Sequence, residues 1–371
     1  MKLHIFNPEH DIALAHNNPY FTAPHAGRQL RADLGFIPAL WASDGDLVLV
    51  DDVAAALEHV RHLKCRIPEV LFITKNDLKS VETDVAEERS RVSSSLQIEP
   101  WGWDLAIHHQ LKKAGISPAF MPSAERLRRI RMISGRQWTA EMLMKVLPGF
   151  ADGVFDVPRS AASVDELVRL YERHYASSAV LKEPWSSSGR GVRYVRGSLT
   201  PPMLNWVARV IAQQGHIMLE PYYDNKVKDF AAEFLAHPDG TITYEGLSLF
   251  HTTKGAYSGN IIASEQEKRQ MLSRHVSLAD LDAVVAVIIQ CMRSYLQNVY
   301  VGPFGVDMMA LGGGLLYPCV ELNLRRTMGH VALAVTPSEP SPQRLLRITY
   351  TDRYHLQLMN TFENVINNSL M

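Results

Sequence analysis

Over the first 120 residues, short apolar runs alternate with stretches of helical period. Leu3–Phe6, Leu47–Val50 and Val70–Thr74 are brief, almost continuous apolar segments of strand length. Val53–Leu63 and Leu105–Ala114 instead space their apolar residues by three and four, as one helix face requires. Strands interleaved with helices predict a parallel sheet in an α/β domain over residues 1–120. Helical period continues from 123 to 146, broken at Ser134-Gly135. Beyond residue 178 strand patterns dominate. Ala179–Leu181, Arg193–Val195, Ile217–Leu219, Phe230–Leu235, Ile242–Phe250 and a pair within 304–325 read as strands, joined by turns such as Asp239-Gly240. Helices are expected at about 202–213 and 278–297. After Pro337-Ser338-Glu339-Pro340 the pattern predicts one more strand, Leu346–Tyr350, and a final helix.

Composition narrows the picture only slightly. The 371 residues are 46% hydrophobic, enough for a substantial core, and the formal net charge of −1 gives no general reason to expect nucleic acid or an anionic membrane. Cys65, Cys291 and Cys319 stand singly, without zinc or disulfide spacing. The start of the chain lacks the apolar core of a signal peptide, and no run of 18 apolar residues occurs, so a cytoplasmic location is expected. Arg126, Arg128, Arg129 and Arg131 form a basic cluster, but on a helix they spread round several faces. The pair His108-His109 has no third ligand at metal spacing.

Chemistry concentrates in three segments. Around residue 310, a triple-glycine turn (Gly312–Gly314) separates Asp307 from Glu321, Asn323 and Arg325. Alternation puts Glu321, Asn323 and Arg325 on one face, and the turn brings Asp307 beside them, so three oxygen donors suit a hard cation. Lys182 closes an apolar strand and is followed by Ser186, Ser187, Ser188, Gly189, Arg190 and Gly191, a loop whose N–H groups and hydroxyls could cradle phosphate. A strand pattern follows that loop, which argues against a P-loop or Rossmann turn and for a flap between antiparallel strands. Glu220, Pro221, Tyr222 and Tyr223 form a stiffened strand end able to present main-chain groups to an adenine edge, and Asp229 could accept ribose hydroxyls. Taken singly, each segment also reads as a solvated hairpin, an ordinary strand end or an ion-paired surface. Two further stretches are substrate candidates. Phe250–Asn260, with Lys254, Tyr257, Ser258 and Asn260, reads as a glycine-hinged lid or a surface loop. His10 follows the first strand, where α/β domains bind ligands, and equally suits a helix-capping neighbourhood.

In that order the segments resemble the ATP-grasp superfamily over roughly residues 122–330, in the manner of biotin carboxylase and the carbon–nitrogen ligases. Glu321-Leu322-Asn323-Leu324-Arg325 fits the family's E-x-N-x-R motif at each defined position. The resemblance implies an α+β grasp fold after the α/β domain, with two antiparallel sheets gripping ATP. It implies a small subdomain with the flap (121–198), a large one with the metal site (199–335) and a C-terminal extension (336–371). Mg²⁺, or Mn²⁺ in its place, would sit on Asp307, Glu321 and Asn323. Arg136 would replace the family's first phosphate-binding lysine, keeping the charge and adding a fork. Lys182 would act beside it, and Arg325 would stabilise the transferring group. The implied reaction activates a carboxylate as an acyl phosphate and joins it to an amine, with small-molecule or peptide substrates and a homodimer among the assemblies the family admits. A small-molecule kinase and a non-catalytic nucleotide-binding module are the alternatives.

Overall fold

The computed structural model describes residues 1–63, 65, 67–79, 96–148, 155–175, 178–186, 189–253, 256–337 and 342–360. Three sheets follow one another along the chain. The first contains β1 (Lys2–Ile5), β2 (Leu47–Leu49), β3 (Leu71–Ile73) and β4 (Gln97–Pro100), all parallel, in the order β3-β2-β1-β4. Leu3, Val48 and Ile73 are buried here because helices cover a parallel sheet on its faces. The helix Leu105–Lys113 is started by Asp104, whose carboxylate accepts the N–H groups of Ala106 and Ile107.

The second sheet holds β5 (Arg159–Ala161), β6 (Ser178–Lys182), β7 (Val192–Arg196) and β8 (Ile217–Pro221) in the order β5-β8-β6-β7, and its pairings are antiparallel. Ala179, Leu181, Val195, Ile217 and Leu219 pack with Leu167 and Tyr171 of the helix Val164–His174 and with Val207 and Val210 of the helix Pro201–Gln214. By alternation Val180, Lys182, Met218 and Glu220 occupy the opposite face. Lys182 is paired with Val192, so β6 and β7 run antiparallel on either side of the segment expected as a flap.

The third sheet is built from β9 (Lys226–Ala236), β10 (Ile242–Thr253), β11 (Ala256–Ile262), β12 (Gly302–Leu311), β13 (Leu316–Asn323), β14 (Arg344–Tyr350) and β15 (Tyr354–Asn360), in the order β13-β12-β9-β10-β11-β14-β15. Phe230, Phe234, Phe304, Val306 and Leu322 share one core with Leu281, Val284 and Ile288 of the long helix Leu278–Leu296. The other face carries Asp229 and Glu233 from β9, Asp307 from β12 and Glu321 and Asn323 from β13, in cross-strand register. The turn between β12 and β13 places Gly313 and Gly314 at positive φ (80° and 79°), which a glycine adopts without strain.

One expectation is corrected. Residues 250–260 are not a free lid: β10 and β11 run through them as an antiparallel pair, with Phe250 opposite Asn260. The polar residues that suggest a loop pair as strands because Asn260 and Tyr257 have buried partners; the Tyr257 hydroxyl donates to Asn260 Oδ1 (2.6 Å) and Asn260 Nδ2 donates to Ser248 Oγ (2.7 Å). After β14, β15 forms a hairpin with it, since Tyr354, Leu356 and Leu358 alternate in period two and Leu346 and Leu356 bury against the core around Phe36 and Ile37; the remaining place for the expected final helix, 361–371, lies outside the described residues. This hairpin extends the large sheet and is tied to the first domain, where Asp33 Oδ2 accepts the Tyr354 N–H (2.8 Å). Residues 361–371, Lys254, Ser187 and Ser188 lie outside the described residues.

Candidate active site

Arg136 joins the two antiparallel sheets. It opens the helix Arg136–Val146, immediately after the break at Ser134-Gly135, and its backbone N–H donates to Pro184 O (3.1 Å). Its guanidinium is 5% exposed and donates to Glu183 O (2.6 Å), Ser186 Oγ (2.9 Å) and Glu321 Oε1 (2.7 Å). The flap and the large sheet therefore converge on one cation. Burial pulls this guanidinium's pKa down, and the carboxylates of Glu321, Glu220 and Asp11 more than reverse the effect. On the small sheet's open face, Lys182 Nζ lies 2.6 Å from Glu220 Oε2, both side chains 11% exposed.

The described ends of the segment between Lys182 and Val192 are tied together. Gly191 has φ +65°, and a Cβ there would fall 2.6 Å from the Ser186 Cβ. Ser186 Oγ donates to Arg190 O (3.0 Å), while the Glu183 N–H donates to Gly191 O (2.8 Å). At the strand end beyond Glu220, the Tyr222 hydroxyl accepts from Arg196 (2.6 Å), whereas Tyr223 packs edge-on against Phe155 and tilted against Tyr317. Asp229 is ion-paired with Lys226 at 2.7 Å.

Asp307 lies directly opposite Glu321, and Asn323 bonds to the Asp307 carboxylate. Burial and the neighbouring Glu321 push the Asp307 carboxyl up to about 7, against the pull of Arg325 and Asn323. Two carboxylates and an amide so close together leave negative charge under-compensated, which is the donor chemistry of a hard divalent cation. Among the described residues, no group of three or more His, Cys, Asp or Glu side chains is arranged as a metal cluster, so phosphate oxygens or waters would have to complete the shell.

Arg325 reaches the first domain, a contact the sequence does not announce. Its Nε and Nη2 donate to Asp11 Oδ1 (2.8 Å) and Oδ2 (2.7 Å), a two-pronged pairing, and Nη2 also donates to Asn323 Oδ1 (3.0 Å). Burial works against the charge, but Asp11, Glu321 and Asp307 hold the guanidinium firmly protonated. His10, Asp11, Ser134, Trp185, Ser186, Glu321, Asn323 and Arg325 line one cleft at this junction. Of the sequence candidates, the structure brings together His10, Arg136, Ser186, Glu321, Asn323 and Arg325, with Asp307 in register beside Glu321. Lys182 and Glu220 adjoin through Arg136. Tyr257 and Asn260 do not line the cleft, being engaged with each other and Ser248.

A second buried cluster lies on the same sheet face. Glu233, 1% exposed, has Oε2 3.1 Å from His330 Nδ1, and its Oε1 accepts from Thr327 Oγ1 (2.8 Å). His330 Nε2 donates to Phe234 O (3.2 Å), and Nδ1 accepts the Thr327 N–H (3.2 Å), so the ring is neutral with its proton on Nε2. Burial and Asp307 push Glu233 up to about 8, while burial and Arg326 push His330 down to about 3. Both partners are thus neutral at neutral pH, and among the described residues Glu233 Oε2 makes no hydrogen bond. The folded chain holds the Glu233 proton to about pH 8 and an unfolded glutamate releases it near 4.5, so stability falls as pH rises through that window. Asp307 adds to the same loss up to about 7. Glu233→Gln, which keeps the side chain's shape and removes its titration, is expected to flatten the decline of Tm across this range in thermal melts. A decline as steep as in the unaltered chain would remove Glu233 as its source.

No sequence-family model matches the chain, and no curated protein matches it in sequence. Solved structures do match. N5-carboxyaminoimidazole synthetase from Staphylococcus aureus, complexed with ADP, superposes with a TM-score of 0.50 at 11% identity, covering 100% of this chain and 96% of that one. Biotin carboxylase from Campylobacter jejuni, in a nucleotide complex, superposes with a TM-score of 0.50 at 12% identity, covering 94% and 75%. The chain has the ATP-grasp fold. Among the described residues, no helix is long and apolar enough to cross a membrane.

Proposed function

We propose that the chain is an ATP- and Mg²⁺-dependent ligase that activates a carboxylate as an acyl phosphate and joins it to an amine, releasing ADP and phosphate. The observation that carries this reading is the convergence on Arg136 of the flap, the Lys182–Glu220 pair and the Glu321/Asp307/Asn323 face. The triphosphate occupies the gap between the sheets. Lys182 and Arg136 neutralise its oxygens, and Ser186, Ser187, Ser188, Gly189, Arg190 and Gly191 close over it. Glu220, Tyr222 and Tyr223 hold the base, and Asp229 the ribose. Asp307, Glu321 and Asn323 would hold the metal, which would supply positive charge against the phosphates. Residues 121–198 and 199–335 act as the two jaws. Phosphoryl transfer needs mainly positioning and charge neutralisation, and this site offers cations and metal ligands in place of a protein nucleophile. Arg325 adjoins Asn323 at the cleft and stabilises the negative charge that develops in transfer.

A screen of ADP release across amino acids, dipeptides and amines tests the reading. Release that requires both a carboxylate and an amine supports it, whereas a stable phosphorylated product from one substrate assigns a kinase instead. Nucleotide-dependent stabilisation with no ADP release under any pairing assigns a binding module. Within that screen, Lys182→Ala is expected to lower ADP release by about 10²- to 10³-fold while the far-UV circular dichroism stays unchanged, because one lost charge contact to a transferring phosphate carries about that much. Turnover within a factor of about three would remove Lys182 from the site.

A further inference from the structure

We propose that His10, held by Asp104, is the base that takes the proton from the incoming amine; this rests on the ligase reading above. The His10 side chain is 1% exposed, and its Nδ1 lies 3.1 Å from Asp104 Oδ2. Asp104 is itself fixed on every side. Its Oδ1 accepts the N–H groups of Ala106 (2.8 Å) and Ile107 (2.9 Å), and Asn7 Nδ2 donates to Oδ2 (3.3 Å). Gly102 closes against the ring: a Cβ there would fall 2.5 Å from His10 Cδ2, so only glycine lets the imidazole lie in this place. A carboxylate on Nδ1 fixes the tautomer with the proton on that nitrogen and leaves Nε2 as a lone-pair acceptor. Among the described residues Nε2 has no hydrogen-bond partner, and the ring lines the same cleft as Glu321, Asn323 and Arg325.

An imidazole held this way is not explained by packing. A helix-capping role is absent, since Glu9 occupies the cap position and makes no side-chain cap bond, and His10 is already inside the helix His10–His16. The charges around the ring are Asp104 from the neighbouring loop, Glu9 and Asp11 from its own segment, and Arg325 and Glu321 across the cleft.

The step balances as follows. An ammonium substrate loses one proton to His10 Nε2, and its freed lone pair forms the C–N bond at the acyl phosphate carbonyl carbon. The C–O bond to phosphate then breaks, its electron pair leaving on the phosphate oxygen, which takes the second N–H proton as hydrogen phosphate. Asp104 touches no substrate and acts as a positioning residue.

Two amines separate this role from a structural one. Ethylamine reaches the enzyme as an ammonium ion at neutral pH and needs a base, whereas hydroxylamine is already uncharged and does not. The probes are the standard amino acids as carboxylates with MgATP and either amine. His10→Asn, whose amide nitrogen can keep the bond to Asp104, is expected to lower ethylamine-dependent amide formation by about 10²- to 10⁴-fold and to leave hydroxamate formation within about threefold. Asp104→Asn is expected to reproduce the selective loss through the wrong tautomer. If both rates fall together in His10→Asn, or neither falls, the base assignment is wrong. If the unaltered chain makes no product with either amine while MgATP still raises its Tm, the ligase reading fails first and takes this step with it.

Discussion

Glu321→Ala is expected to abolish ATP-dependent turnover, lowering ADP release by about 10³-fold or more, while the chain stays folded. Glu321 acts in two ways at once. Its Oε1 accepts from Arg136 at 2.7 Å, fixing a cation that touches both the segment after Lys182 and the large sheet. Its charge also faces Asp307 across the strand pair, making the face attractive to a divalent cation. Removing it leaves Arg136, 5% exposed, without its carboxylate partner. An unpaired buried charge costs several kcal/mol in a closed site, but Glu220 and Asp11 remain close enough to offset part of that here. Glu321→Gln separates the two functions, because the amide oxygen keeps the Arg136 bond and loses the charge. If charge at the cation site matters most, Gln and Ala variants are equally inactive and both respond less to Mg²⁺ in thermal-shift titrations. If the Arg136 tether matters most, Gln recovers a large part of the rate. Turnover within tenfold of the unaltered chain in the Ala variant would break the link between this strand and the chemistry.

The parts of this site that a reader of the sequence can find are those written locally. Glu321, Asn323 and Arg325 are two residues apart, so strand alternation alone places them together. Asp307 follows from the triple-glycine turn, and Lys182 from a flap framed by two period-two segments. The parts that escape are set by long-range contacts. Asp11 meets Arg325 across 314 residues, and Asp104 meets His10 across 94. Nothing in either neighbourhood marks the partner, although Asp104 stands just before an apolar helix in the position of a cap. The misreading at 250–260 has a different origin. Thr, Tyr, Ser and Asn resemble a loop when polarity is taken for exposure, yet these residues lie in paired strands, and Asn260 is buried with Ser248 as its partner. The last strand was legible in principle, since Tyr354, Leu356 and Leu358 alternate. Its position on the edge of the large sheet depends on β11 and the first domain, which no local pattern records.

Gly329→Ala is expected to destabilise the fold by about 3 kcal/mol, reversing the usual gain from placing alanine in a helix. Gly329 lies in the helix Met328–Ala334, which Thr327 starts by accepting the N–H groups of Gly329 and His330. A Cβ at this position would sit 1.9 Å from Glu233 Oε1 and 2.6 Å from Ser248 Oγ, distances at which something must shift. Neither neighbour can yield cheaply. Glu233 is fixed by Thr327 and His330, and Gly305 presses on its other oxygen, where a Cβ would come within 2.4 Å. Ser248 is held by Asn260. The helix would therefore have to lift from the sheet, breaking the Thr327–Glu233 bond and leaving Glu233 Oε1 buried without a partner. A double-mutant cycle checks the cause: combining Gly329→Ala with Glu233→Ala should recover stability relative to the sum of the two single losses, because the clashing carboxylate is gone. Additive losses would show that the glycine is needed for another reason. Since Arg325 stands four residues before Gly329, a lifted helix should also weaken the response of Tm to MgATP.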